Sequence, residues 1–351
     1  MDQTNDLIDR VHAARAAGQV LAFQGHGSKT GLLPPCRAEV LSTAEHTGIV
    51  DYQPTELVVT ARAGTSLRDL SLTISQDRLM LASDPPMFAG EGTVGGAVAA
   101  GLSGPSRPFW GALRDHVLGV RMVNGQGEDL AFGGQVMKNV AGYDVSRLTC
   151  GAWGALGLLL EVSLRLQPKP EHEATLTFEF SAEQAIEQCR AMARRPLPVS
   201  AACWHDGLLR VRLSGTETGV KQALSVLGGE SSVELGFWAD WRDHRAGFFH
   251  PTELSDRQLF RVVTAPAAPV PESGLVAFDW AGGVRWLSVD QPSVVADYVG
   301  AVGGWPWPVG GYQRLDENAL SLMQEIKRAF DPDRIFVSPL WSQDSQAEQG
   351  G

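Results

Sequence analysis

The chain has 351 residues, of which 44% are hydrophobic and 20% charged, and it carries a net charge of -11 with a pI of about 5.2. That length can bury a full core and predicts two domains, while an acidic balance without any basic block excludes nucleic acid as the main partner. Four cysteines, Cys36, Cys150, Cys189 and Cys203, are scattered with no CxxC pair, so a disulfide framework, a zinc site and an iron–sulfur cluster find no support.

The first segment, MDQTNDLIDRVHAARAAG, is acidic where a signal peptide is basic, and its apolar residues are spaced for one helical face. It predicts a helix capped near Thr4 or Asn5 and stopped at Gly18. Residues 20–24 read as a strand running into the loop GHGSKTG, residues 57–63 as a second strand and residues 66–76 as a helix. Residues 117–130 read as a hairpin turning at Asn124-Gly125, a dipeptide favoured where both central residues need positive φ. Residues 158–167 alternate Val162, Leu164 and Leu166 with Ser163 and Arg165, the pattern of a strand with one wet face. The longest apolar run near the middle, residues 155–160, is cut by Glu161, so no transmembrane segment is expected.

Pro168-Lys169-Pro170 then breaks the chain and marks the expected domain boundary. Beyond it the pattern gives a strand at 175–180, a helix at 182–194, a strand pair at 199–205 and 208–213 around Asp206-Gly207, and a helix at 216–227. Eight of the ten tryptophans lie from Trp204 onward, which predicts a packing role for them. A last helix over 315–330 is closed by Asp331-Pro332, and residues 342–351 read as a disordered tail. The layout expected is residues 1–170, residues 171–341 including the C-terminal helix, and the tail.

Glycine supplies 39 residues, about 11% against a usual value of about 7%. Its density peaks at residues 90–104, GEGTVGGAVAAGLSG, where six of fifteen residues are glycine. Glycine weakens helix and strand interiors, so this density points to backbone that turns with positive φ or lies against a ligand. GHGSKTG, with Gly25, Gly27 and Gly31, directly follows a strand, yet its third glycine comes one residue late for G-x-G-x-x-G and it lacks the Walker A order. Alone it describes an ordinary tight turn equally well. Lys138 and Asn139 open KNVAGYD and read either as groups at a cofactor face or as a solvated cation and a turn residue, with Asp144 as the N-cap of VSRL.

Together GHGSKTG, PPMFAGEGTVGGAVAAGLSGPSRPFWGALRDHVLGVRMVNGQGE, GGQVMKNVAGYDVSRL and GAWGALGLLLEV stand in one order and spacing. They resemble the flavoproteins of the vanillyl-alcohol oxidase or p-cresol methylhydroxylase (PCMH) type, and the resemblance covers nearly the whole chain. It is closest to the FAD-binding subunits of glycolate oxidase complexes. It implies an α+β fold in which a two-subdomain PCMH-type FAD-binding domain is followed by a smaller α+β cap domain of the FAD-linked oxidase C-terminal type. It also implies FAD with its pyrophosphate against Gly25, His26, Gly27, Ser28, Lys29 and Gly31, where the amides of a glycine-rich turn form a concave anion site. By the same resemblance Pro86, Gly92, Thr93, Gly95 and Gly96 run along the ribityl and isoalloxazine side. Arg114 and Asp115 match the family's RD pair, and Gly157 and Leu158 lie near the adenosine end.

The departures from the family are informative. Gln24 stands where the family often has Arg, His26 where Gly is common, and Ser28 where covalently linked relatives carry the linking histidine. FAD is therefore expected to be noncovalent, and His26 reads equally as a phosphate contact and as an exposed loop histidine. Relatives that oxidise D-2-hydroxy acids carry a metal-binding histidine pattern and a GDGN motif in their C-terminal half. Neither string occurs here, so no metal is expected, and His205, His244 and His250 read as packing or surface residues. The closing segment keeps Phe330-Asp331-Pro332 but has Val337-Ser338-Pro339 in place of an NPG-like element.

The resemblance thus implies an FAD-dependent oxidoreductase acting on CH–OH groups within a complex that converts glycolate to glyoxylate. A larger FAD subunit and an iron–sulfur subunit are the implied partners, in the cytoplasm or peripheral to the inner face of a membrane. The larger subunit is expected to oxidise the substrate while this chain relays electrons or completes the assembly, and no catalytic residue is assigned. Two alternatives stay open: a self-sufficient oxidase of a small alcohol or 2-hydroxy acid, with Arg285 or Arg314 on a carboxylate, and a noncatalytic scaffold. Trp305 and Trp307 read as a partner surface or as a packed loop.

Overall fold

Leu7, Val11 and Ala14 recur at four- and three-residue intervals, so the helix Thr4–Ala17 buries one face. This is seen in a computed structural model that describes residues 1–88, 92–134, 144–232, 236–249, 257–311 and 317–337. The helix stops at Gly18 in the left-handed conformation, φ 64°, as its sequence predicts. Its start differs: the N-cap position is Gln3, and the Asp2 carboxylate accepts from Thr4 N at 3.0 Å and Thr4 Oγ1 at 2.8 Å.

The chain divides into two compact units: Met1–Leu102 with Ala112–Pro168 and Gly310–Gly351, and Ser103–Gly111 with Lys169–Val309. In the first unit β1 (Leu21–Gln24) lies parallel to β2 (Glu39–Ser42), and Leu21 also bridges Phe336. An antiparallel sheet of order β3-β4-β8-β6-β7 is built from β3 (Ile49–Gln53), β4 (Val58–Arg62), β6 (Val117–Val123), β7 (Asp129–Gly133) and β8 (Leu158–Arg165). The short β5 (Leu79–Met80) pairs β9 (Gln167–Pro168). Val59, Ala61, Val162 and Leu164 pack with Leu70 and Ile74 of the helix Leu67–Ser75 and with Val94 and Val98 of the glycine-rich helix Val94–Ala100.

Three expectations are corrected in this unit. β8 has no wet face in mid-strand: it is the central strand, and Ser163 is buried with its hydroxyl 2.8 Å from Thr60 Oγ1. The hairpin does not turn in two residues, because positive φ falls on Gly127 at 82° and Asn124 Oδ1 accepts from both Gln126 N and Glu128 N at 3.0 Å. The C-terminal helix Glu317–Phe330 counts with this unit rather than with residues 171–309, since Ile326 and Phe330 pack on its core.

The second unit holds one eight-stranded antiparallel sheet of order β13-β10-β12-β11-β15-β16-β14-β17. Its strands are β10 (His172–Glu179), β11 (Val199–His205), β12 (Leu208–Gly215), β13 (Glu230–Ser232), β14 (Gln258–Val263), β15 (Leu275–Asp279), β16 (Val284–Val289) and β17 (Trp305–Pro308). Asp206 and Gly207, at φ 52° and 74°, make the tight turn that the sequence predicts between β11 and β12. The helices Ala182–Ala193 and Glu217–Leu227 cover Leu209, Val211 and Leu213, and Pro292–Val302 covers Phe260, Val262 and Leu287. By strand alternation Arg210, Arg212, Arg261 and Trp286 fall on the opposite face. Trp241, Trp280, Trp286 and Trp307 are buried, whereas Trp305 is exposed. Among the described residues no helix is long and apolar enough to cross a membrane.

Candidate functional site

The chain leaves β1 at Gln24 and enters residues 25–31. Gly27 holds φ 73°, and its carbonyl takes the N–H of Thr30 at 3.1 Å and the Thr30 hydroxyl at 2.9 Å. The loop is therefore fixed from within, while the amides of Gly25, Gly27 and Ser28 donate to no group among the described residues. His26 and Gly31 are exposed, and Ser28 is half-buried. Lys29 is buried, its Nζ 3.4 Å from Ser28 Oγ and 5.3 Å from the Phe88 ring centroid.

Thr93, almost fully buried, caps the helix Val94–Ala100 by accepting the Gly96 N–H at 3.1 Å. Gly95 gives its N–H to Ala63 O at 2.8 Å, and a Cβ there would fall 2.6 Å from Ala63 Cβ, so only glycine lets this helix lie against the end of β4. Gly25 meets Thr93 the same way, with a built Cβ 2.4 Å from Thr93 Oγ1. Gly92 donates to Met87 O and accepts from Leu67 N, both at 2.8 Å, and Pro86 is buried in the same segment.

These elements border one cleft lined by Gln24, Gly25, Gly95, Gly96, Gly157 and Leu158, together with Gly154 and Ala152. Five of the residues expected from sequence are thereby brought together: Gly25, Gly95, Gly96, Gly157 and Leu158. Gly157 is there for close packing, since its Cβ would lie 2.2 Å from Met122 Cε and 2.6 Å from Val123 O. Arg114 and Asp115 are exposed and do not line the cleft, and Asp115 Oδ2 accepts the Ala112 N–H at 2.9 Å. Lys138 and Asn139 lie outside the described residues, as do His250 and Arg314. Asp144 caps its short helix through Arg147 N, as its sequence predicts.

Thr43, Ala63, Thr149, Ala152 and Gly154 also line the cleft and were not singled out from sequence. The signal available was the CGAWGALG string, whose Gly151 and Gly154 both adopt positive φ, 88° and 83°. The suggestion that Arg285 holds a substrate carboxylate is corrected. Its side chain is sealed in the core over Phe278, and Nη2 donates to Ala268 O at 2.8 Å. His205 bonds Val276 O at 2.9 Å through Nδ1, and His244 stacks on Phe249 with centroids 4.3 Å apart. Among the described residues no three His, Cys, Asp or Glu side chains converge as metal ligands.

Half-buried amides at the end of a strand, a glycine-faced helix start and a cleft lined by small residues suit a long ligand carrying phosphates. Residues 1–133 match the family described as FAD binding domain, so the class is that of FAD-binding flavoproteins. The chain is 38% identical to "Glycolate oxidase subunit GlcE" of Escherichia coli (strain K12) over 341 residues, covering 95% of this chain and 96% of that one. It belongs to that family.

Two further comparisons mark what is shared more widely. "Glycolate oxidase subunit GlcD" of Bacillus subtilis (strain 168) is 32% identical over 140 residues, spanning 40% of this chain and 30% of its own length. Among solved structures, an alkyldihydroxyacetonephosphate synthase superposes with a TM-score of 0.66 at 14% identity, over 94% of this chain and 74% of that one, a likeness of fold.

Proposed function

We propose that this chain is the FAD-holding subunit of a multi-subunit glycolate oxidase, converting glycolate to glyoxylate together with a larger flavin subunit and an iron–sulfur subunit. The observation that carries the reading is the likeness to the GlcE subunit from end to end, joined to a cleft whose residues suit FAD. Bound FAD supplies a two-electron acceptor for hydride leaving the substrate α-carbon. This chain's residues do the holding. In this reading the amides of Gly25, Gly27 and Ser28 take the pyrophosphate, the buried Lys29 adds positive charge, and Gly95 and Gly96 add no side chain to the cleft wall.

Ser28 provides no ring nitrogen for a covalent link, so we take the flavin to be noncovalent. The larger flavin subunit performs the oxidation in this reading, and this chain relays electrons or completes the assembly. The complex is then located in the cytoplasm or peripherally at a membrane face.

The test is to purify the chain with and without its co-purifying partners and assay glycolate with an artificial electron acceptor. Turnover by the assembled complex and little by the isolated chain is expected. Full turnover by the isolated chain would replace the subunit reading with a self-sufficient oxidase.

A further inference from the structure

The helix Glu317–Phe330 sends one cation inward. Lys327 Nζ donates to three oxygens: Asp331 Oδ2 at 2.7 Å, Phe336 O at 2.7 Å and Ala155 O at 3.1 Å. An ammonium has three N–H groups, so none is left over, and the side chain is only 19% exposed. The charge is balanced on the spot, because Asp331 is fully buried and also accepts from Ile335 N at 3.0 Å and Phe336 N at 2.9 Å.

The two carbonyls belong to two segments that both reach the cleft. Ala155 stands between Gly154 and Leu156, which line it together with Gly157 and Leu158. Phe336 bridges Leu21 at the start of β1, where Leu21 N donates to Ile335 O at 2.7 Å and Val337 N to Leu21 O at 2.9 Å. Its ring meets Phe23 edge-on with centroids 4.8 Å apart. Phe23, Gln24 and Gly25, at the other end of β1, line the same cleft.

Ala155 is sealed from solvent, and Lys327 is the one donor to its carbonyl among the described residues. A buried carbonyl stripped of its donor bears the full desolvation cost, so without the ammonium the segment would shift to find another. Room for such a shift is small on the β1 side, since a Cβ on Gly154 would already fall 2.9 Å from Phe23 Cδ2. Lys327 itself does not line the cleft, so any effect on a ligand passes through these carbonyls.

We propose that Lys327 is a positioning residue for the flavin cofactor. By holding Ala155 O and Phe336 O on one ammonium it fixes residues 154–158 against the end of β1, and so sets the affinity of the cleft for FAD. The inference rests on the reading of that cleft as the FAD site.

The test is titration of the flavin-free full-length chain with FAD, read by flavin fluorescence under conditions where every variant is folded. Lys327→Met keeps the stem and removes the ammonium, and is expected to weaken FAD binding about tenfold. Lys327→Arg keeps a cation and donors there and is expected to weaken it less. Leu166→Ala empties a buried site just past the far end of β8 at a comparable cost in stability, and is expected to leave FAD affinity unchanged. Unchanged affinity in Lys327→Met, an equal loss in Lys327→Arg, or an equal loss in Leu166→Ala would overturn the positioning role. If Lys327→Met does not fold, Lys327→Met combined with Asp331→Asn, which strands no buried charge, is titrated in its place with the same expectation. Gly25→Ala separates the two readings. If Lys327→Met binds as the wild type does and Gly25→Ala binds weakly, the role of Lys327 falls alone; if neither is weakened, the cleft reading falls with it.

Discussion

Gly25 and Thr93 meet so closely that a Cβ on Gly25 would fall 2.4 Å from Thr93 Oγ1. That hydroxyl accepts the Gly96 N–H at 3.1 Å, so it cannot move aside without uncapping the helix Val94–Ala100. Gly25→Ala is therefore expected to cost about 1 kcal/mol of capping energy and to lower the flavin-to-protein ratio several-fold. Gly207→Ala is the contrast. Its φ of 74° strains an alanine by about 1 kcal/mol, but nothing lies within 4 Å of the new Cβ, and flavin content should not change. Absorbance of the purified variants reads both.

Asp331 is fully buried and accepts from Lys327 Nζ at 2.7 Å, Ile335 N at 3.0 Å and Phe336 N at 2.9 Å. It anchors the turn that brings Phe336 beside Leu21. Removing one partner of a buried, hydrogen-bonded ion pair costs about 3 kcal/mol or more, so Asp331→Ala should shift the urea midpoint strongly. Asp333→Ala breaks only an exposed pair with Arg15, 2.7 Å long, and should cost less than about 1 kcal/mol.

His46 gives the pH dependence. Its ring is fully buried, Nδ1 accepts Gln3 N at 3.0 Å, and Nε2 therefore donates to Leu160 O at 3.1 Å. Burial lowers its pKa, so the folded state holds it neutral while the unfolded chain protonates near pH 6.5. This contribution to stability is present above that pH and is lost progressively as the pH falls below it. His46→Gln should flatten the fall in unfolding free energy between about pH 7 and 5. An unchanged pH profile would contradict the assignment.

Asp115, matched by resemblance to a cofactor pair, is placed as a helix cap with Ala112 N at 2.9 Å. Asp115→Ala is expected to cost about 1 kcal/mol of stability and to retain full flavin content. Loss of flavin at normal stability would restore it to the cofactor site.

The parts of this molecule legible in sequence are those set by local chemistry. Gly18 as a C-cap, the Asp206-Gly207 turn and Asp144 as an N-cap each depend on one residue's backbone preference or short side chain. The glycine clusters pointed to the cleft because close backbone packing, as at Gly95 against Ala63, tolerates nothing larger. What stayed hidden depends on distant partners. The Asn124-Gly125 turn changes because Gly125 lies against Asp331, where an added Cβ would fall 2.7 Å from Asp331 Cα, and Ser163 is buried because Thr60 lies opposite it. No local pattern announces that Ser103–Gly111 joins the second unit, or that the helix Glu317–Phe330 returns to the first. Arg261 and Arg107 lie 154 positions apart in the chain, and only the fold puts both on Trp280.

The central claim, that this chain holds FAD noncovalently in the cleft bordered by Gly25 and Gly96, is tested most directly by the flavin content of the purified full-length chain before and after acid precipitation. About one FAD per chain is predicted, all of it released to the supernatant by acid. Flavin remaining in the pellet would contradict the noncovalent link, and a colourless protein that takes up no added FAD would contradict the cofactor assignment itself.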